Sequence, residues 1–134
     1  MKGQVFLGQY EVVSPLGEGA MGKVFLARQI SDGQPVVVKV MHDSIAKQPK
    51  FKELFEREMK FMARFKHPNV VALLDASTRD SKGLCIVMEY VSGSDLENLL
   101  EKHKRFPPER VAFWLLDLCS ALQAAHNVGI IHRD

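Results

Sequence analysis

The stretch from Pro15 to Gln29 constrains the fold more than any other part of the chain, because its three glycines lie between two strand-like segments. Gly17, Gly19 and Gly22 carry the spacing G-x-G-x-x-G. In a dinucleotide-binding crossover that spacing opens a helix, since the pyrophosphate rests on the helix N-terminus. Here Gly22 is followed by Lys23-Val24-Phe25-Leu26-Ala27-Arg28, a short β-branched and aromatic run that soon meets the turn signal Ser31-Asp32-Gly33. Tyr10-Glu11-Val12-Val13 before the glycines is also strand-like, and Val36-Val37-Val38-Lys39-Val40 follows the turn. The pattern predicts an antiparallel meander rather than strand, loop and helix, which sets the dinucleotide reading aside. On the glycines alone, a hairpin turn that binds nothing stays open beside a loop that cradles phosphates.

Two charged residues sit in apolar settings. Strand alternation puts Val36, Val38 and Val40 on one face and Val37, Lys39 and Met41 on the other. A lysine amid valines either snorkels to water or meets an anion. Pro49 to Phe65 reads as an amphipathic helix, with Pro49 in its first turn. At about 100° per residue, Phe51, Leu54, Phe55, Phe61, Met62 and Phe65 fall within ~60° of Glu58. Glu53, Glu56, Arg57, Lys60 and Arg64 fall on the flanks or the far side, so Glu58 is the one charge on the apolar face. It either reaches water at the rim or pairs with a cation, and Lys39 is the inward lysine upstream. If such a pair is buried, removing one partner costs about 3–5 kcal/mol.

Composition excludes several classes. With 46% hydrophobic and 25% charged residues the chain is globular, and a net charge of +2 gives no case for nucleic acid or an anionic membrane as partner. The two cysteines, Cys85 and Cys119, lie in apolar stretches and read as reduced core residues of a cytosolic protein. No apolar run approaches the ~20 residues of a membrane-spanning helix, and the N-terminus has no signal-peptide pattern. The expected location is therefore cytoplasmic. His42, His103 and His126 show no metal-ligand spacing and read as surface or helix-end residues.

Glycine flap, strand lysine and helix glutamate together resemble the N-terminal lobe of a protein kinase, and the resemblance covers essentially the whole chain. Gly17-x-Gly19-x-x-Gly22-x-Val24 matches the family's glycine-rich loop. Lys39 matches the third-strand lysine that holds the α- and β-phosphates, and Glu58 the helix-C glutamate that orients it. His67-Pro68-Asn69 is similar to the turn after helix C, and Leu84 to Val91 to the fifth strand running into the hinge. Met88 is then the gatekeeper, and the main chain of Glu89 and Val91 bonds adenine. The resemblance also assigns Leu16 and Val37 to the adenine site and Asp95 to the ribose hydroxyls. Val37 departs from the family pattern, which has alanine there, and its two extra methyl groups narrow the pocket. His132-Arg133-Asp134 matches the start of the catalytic loop, with Asp134 the catalytic base and His132 structural. The flap and hinge most resemble bacterial serine/threonine kinases.

The fold class implied is α+β: a five-stranded antiparallel sheet with helix C over residues 1–91, including the hinge, and the first helices of the C-lobe over 92–134. Leu96, Leu99 and Leu100 form one side of a short helix. Pro107-Pro108-Glu109 opens a longer one, in which Val111, Leu115, Leu118, Leu122 and Ala125 form the buried face and Gly129 caps the end. The resemblance implies a truncated catalytic domain that takes ATP and a protein substrate carrying Ser or Thr. The asparagine and Asp-Phe-Gly that hold magnesium lie beyond Asp134. The intact parent is then expected to transfer phosphate and this fragment alone is not. The alternative function is a non-catalytic nucleotide- or partner-binding module.

Overall fold

The alternation read from Tyr10 to Met41 is realised as strands of one antiparallel sheet. The structure, a computed structural model, describes residues 1–80 and 82–131. Among these residues the sheet holds β1 (Val5–Phe6), β2 (Tyr10–Glu18), β3 (Gly22–Gln29), β4 (Pro35–Met41), β5 (Leu73–Ser77) and β6 (Cys85–Glu89), in the order β1-β2-β3-β4-β6-β5. Helices α1 (Asp43–Ala46) and α2 (Pro49–Met62) lie between β4 and β5 in the chain, and α3 (Leu96–His103) and α4 (Pro108–Asn127) follow the sheet. The chain forms two compact units: Met1–Phe65 with Val71–Tyr90, and Lys66–Val70 with the residues from Val91 onward.

In the first unit the anticipated turn after β3 closes as read: Asp32 Oδ1 accepts the Gln34 N–H at 3.0 Å, and Gly33 supplies φ 73°. Valines at alternate positions of β4 then face a core of Phe6, Tyr10, Val12, Phe25, Ala27, Val36, Val38, Cys85 and Val87. Cross-strand neighbours Phe25, Val38 and Val87 sit opposite one another in register. The five expected strands are thus joined by a sixth, β1, which sequence pattern left out because two residues show no period. Phe6 of β1 is 0% exposed. Residues far along the chain hold it there. The Leu7 N–H, in a turn with φ 49° at Leu7 and 68° at Gly8, donates to Asp80 Oδ2 at 2.6 Å. Lys82 Nζ donates to the Val5 carbonyl at 2.6 Å and lies 5.6 Å from the Phe6 ring centroid.

Helix α2 covers the opposite face of the sheet. Phe55 is buried with Met41 and Leu84, and Phe51, Met59, Ala76 and Ile86 pack beside them. The buried ridge is therefore Phe51–Phe55–Met59, not an arc centred on Glu58. Leu54 (40% exposed), Phe61 (48%) and Glu58 share an outward flank. Periodicity gave the apolar arc, and the sheet covers only part of it.

In the second unit the α4 N-terminus begins at Pro108 as expected. Its C-terminus is a Schellman motif: the Gly129 N–H donates to the His126 carbonyl at 3.0 Å and the Ile130 N–H to the Ala125 carbonyl at 2.9 Å, with φ 82° at Gly129. Trp114 meets Phe106 edge-on at 4.9 Å between ring centroids. His67-Pro68-Asn69 belongs to this unit, where Asn69 Nδ2 donates to the Asp117 carbonyl at 3.1 Å. The Asn69 N–H donates to His67 Nδ1 at 3.0 Å, so Nε2 carries the ring proton and faces Ser120 Oγ at 3.2 Å. One expectation is corrected here: Val111, Leu115, Leu118 and Leu122 are exposed, as are Leu96 and Leu100, and Ala121 is the buried residue of α4. Among the described helices none is long and apolar enough to cross a membrane.

The two cysteines also part company. Cys85 is buried and Cys119, expected in the core, is exposed on α4. Burial, with the Asp80 carboxylate adding to it, pushes the Cys85 thiol from 9.0 up to about 12. A raised acid value stabilises the fold fully below 9.0, and that stability is lost as pH climbs toward about 12. A thiol reagent should therefore modify Cys119 in the native protein and Cys85 only on unfolding. Cys85→Val should flatten the loss of denaturation midpoint across that alkaline window, as measured by urea titration at stepped pH.

Candidate active site

The register of the sheet fixes which side chains share the α2 face. In one row Gly17 lies opposite Val24, Val24 opposite Lys39, Lys39 opposite Ile86, and Ile86 opposite Ala76. In the next row Leu26, Val37, Met88 and Leu73 follow one another in the same way. Directly opposed residues of antiparallel strands point to the same side. Val24, Val37, Lys39 and Met88 are thereby brought together on one surface, each half-buried.

The glycine flap bends away from the ladder at two irregularities in β2, between Val12 and Ser14 and between Pro15 and Gly17. Leu16 is the extra residue of the second and is exposed. Beyond it Glu18 pairs with Lys23, and the Gly19 N–H closes the tip on the Gly22 carbonyl at 2.9 Å. The three glycines differ. A Cβ at Gly22 would stand 2.1 Å from the Val40 carbonyl oxygen, so packing alone demands glycine there. At Gly17 and Gly19 a Cβ would meet nothing within 4 Å. The protein itself makes no demand at these two positions, which leaves room for another group to approach the backbone.

Lys39 and Glu58 are not brought into an ion pair. Among the described residues the ion pairs join Glu18 to Lys23 at 3.9 Å, Glu11 to Arg28 at 2.7 Å, Glu18 to His42 at 3.7 Å and Asp43 to Lys47 at 3.4 Å. The rotation of α2 described above accounts for this, since it turns Glu58 to the exposed flank. Neighbouring Glu56 is engaged by the Thr78 hydroxyl, and that hydrogen bond, with Arg79 and Lys60 nearby, lowers its acid value.

Glu89 ends β6, and its N–H donates to the Ala72 carbonyl at 2.9 Å while its Oε2 accepts the Ala72 N–H at 3.0 Å. In the second unit Val91 is exposed, and Asp95 is the N-cap of α3, its Oδ1 accepting the Asn98 N–H at 2.8 Å. Asp134 and His132 lie outside the described residues. Among the described residues no three His, Cys, Asp or Glu side chains converge as metal ligands. His42, read as a surface or helix-end residue, is the N-cap of α1 and is also half-buried against the flap, a contact no local pattern marks because Glu18 and Gly19 lie far back in the chain.

The curled sheet, its crossing helix and the helical unit define an α+β protein-kinase-like fold. The chain belongs to the protein kinase family, whose domain matches residues 10–134. It is similar to the serine/threonine-protein kinase pkn3 of Myxococcus xanthus, 39% identical over 132 residues that make up 98% of this chain and 24% of that protein. It is also similar to the probable serine/threonine-protein kinase PknB of Corynebacterium glutamicum, 38% identical over 133 residues, 97% of this chain and 21% of that protein. Among solved structures, the PknI kinase domain of Mycobacterium tuberculosis superposes with a TM-score of 0.87 at 31% identity, covering 100% of this chain and 53% of that one. The chain thus spans about half of that kinase domain and a quarter or less of these curated relatives.

The contrast among the glycines gives a measurable outcome. Gly22→Ala should destabilise the fold by about 1–3 kcal/mol, because the new methyl group meets a carbonyl held in the β3–β4 ladder. Gly17→Ala should leave stability unchanged or raise it by about 0.4–1 kcal/mol. Thermal and urea unfolding of the two variants checks both.

Proposed function

We propose that this chain is the nucleotide-binding part of an ATP-dependent serine/threonine protein kinase, and that its parent transfers the γ-phosphoryl group of ATP to a protein hydroxyl. The observation that carries the reading is the row Gly17–Val24–Lys39, in which a cation stands two strands from a flap whose backbone a ligand can approach. Main-chain N–H groups of the flap take the phosphate oxygens, and Lys39 supplies a compact charge to the α- and β-phosphates. Leu16, Val24 and Val37 enclose the adenine, Met88 guards the back of the pocket, and the main chain of Glu89 and Val91 bonds the base edge. Asp95 keeps its second carboxylate oxygen for the ribose while the first caps α3. Asp134 accepts the proton of the acceptor hydroxyl. The serine/threonine preference is supported by the names of the relatives. Magnesium, when bound, would neutralise phosphate charge.

Glu58 acts as the switch of this site. A turn of α2 that carries it toward Lys39 also moves Leu54 and Phe61, on the same flank, toward cover. Full burial of each would contribute about 1.5–3 kcal/mol. In the closed arrangement the Glu58 carboxylate orients the Lys39 ammonium for the phosphates.

In the intact parent, Lys39→Met should lower kcat by at least about a hundredfold while adenosine binding is kept, since the hinge contacts do not involve the lysine. Retention of normal kcat removes Lys39 from its role. The 134-residue chain itself should show no phosphate transfer with magnesium-ATP, and measurable turnover overturns that expectation.

A further inference from the structure

His42 leaves the end of β4 and turns back onto the glycine flap. Its Nε2 lies 3.0 Å from the Gly19 carbonyl oxygen and 3.7 Å from Glu18 Oε1, and its own N–H donates to the Met21 carbonyl at 2.9 Å. Three residues of the flap are therefore engaged by the residue that directly follows the strand carrying Lys39. A carbonyl oxygen only accepts, so Nε2 bears the proton in this contact, in the neutral ring or in the cation. Glu18 is in turn 3.9 Å from Lys23 Nζ, which keeps the carboxylate beside the ring at the base of the loop.

The Gly19–Ala20 peptide is where this contact has chemical meaning. A trans peptide is planar, with its C=O and N–H directed oppositely. Holding the Gly19 carbonyl against His42 therefore turns the Ala20 N–H away from the ring. If the peptide flips, the flap presents an oxygen lone pair where it had presented a donor, and an oxygen repels a phosphate. We propose that His42 is a positioning residue that selects the donor-out orientation of the Gly19–Ala20 peptide, and so prepares the flap for a phosphate group before any ligand arrives. The inference rests on the reading of the flap as a phosphate cradle, and it adds a residue to that site.

The test uses the full chain without ligand and compares His42→Ala, His42→Phe and His42→Gln. Amide hydrogen exchange by NMR reads the Gly19 and His42 N–H groups, which close the flap on the Gly22 and Met21 carbonyls. In the Ala and Phe variants both should exchange about fivefold faster, the factor that one net hydrogen bond supplies, with amides of the β4–β6 ladder unchanged. Gln, whose Nε2 can donate to the same carbonyl, should restore the rate to within about twofold. Titration then separates the roles: His42→Ala should weaken ADP about fivefold and leave adenosine unaffected, because only ADP brings phosphate to the Gly19–Ala20 peptide. Wild-type exchange in both Ala and Phe, or a Gln variant no better than Ala, overturns the tether. Equal weakening of ADP and adenosine overturns the phosphate role. If the wild-type chain binds neither, the nucleotide reading falls and the phosphate role with it, while exchange still decides whether His42 holds the peptide.

Discussion

The strict two-residue alternation of β4 is the constraint on which the rest of the first unit depends. Val36 and Val38 are locked into the core between Phe25, Ala27 and Val87, and that leaves Val37, Lys39 and Met41 no choice of side. A slip of one residue would carry a lysine into the closed core and three valines onto the α2 face, so register here is specified by a large energetic penalty. Because β4 is paired along both edges, its orientation is passed on to β3 and β6. The flap inherits its position from the first, and Met88 and Glu89 from the second.

Much of this was legible in the residues. The period of two in Val36–Val40, the turn chemistry of Asp32-Gly33 and the Pro-initiated helices at Pro49 and Pro108 are local signals, and the chain obeys them. The family motifs occur in an order that leaves little doubt about the class of fold. What escaped is what depends on contacts between distant positions. The face of α2 was read as an arc broad enough to centre on Glu58. Which edge of a broad arc meets the sheet is decided by how Phe55 fits among Met41 and Leu84, not by the helix's own sequence. The tether from His42 to Gly19 and the bond from Leu7 to Asp80 join residues 23 and 73 positions apart, and nothing local announces either.

The second unit shows how one sequence motif can be structural for a reason visible only in three dimensions. His67 and Asn69 close a small ring of hydrogen bonds with each other and with Asp117 and Ser120 of α4, so the turn after α2 belongs to the helical unit and not to the sheet that precedes it.

Phe6 carries a practical corollary for where this fold begins. The family match opens at Tyr10, yet an aromatic plug four residues earlier is wholly enclosed. Losing a ring of that size from an interior costs about 3–5 kcal/mol. Net stability of a domain is only about 5–15 kcal/mol. A boundary drawn by homology would therefore discard about a fifth or more of the margin that keeps the sheet folded, without touching a single residue by which the family is recognised.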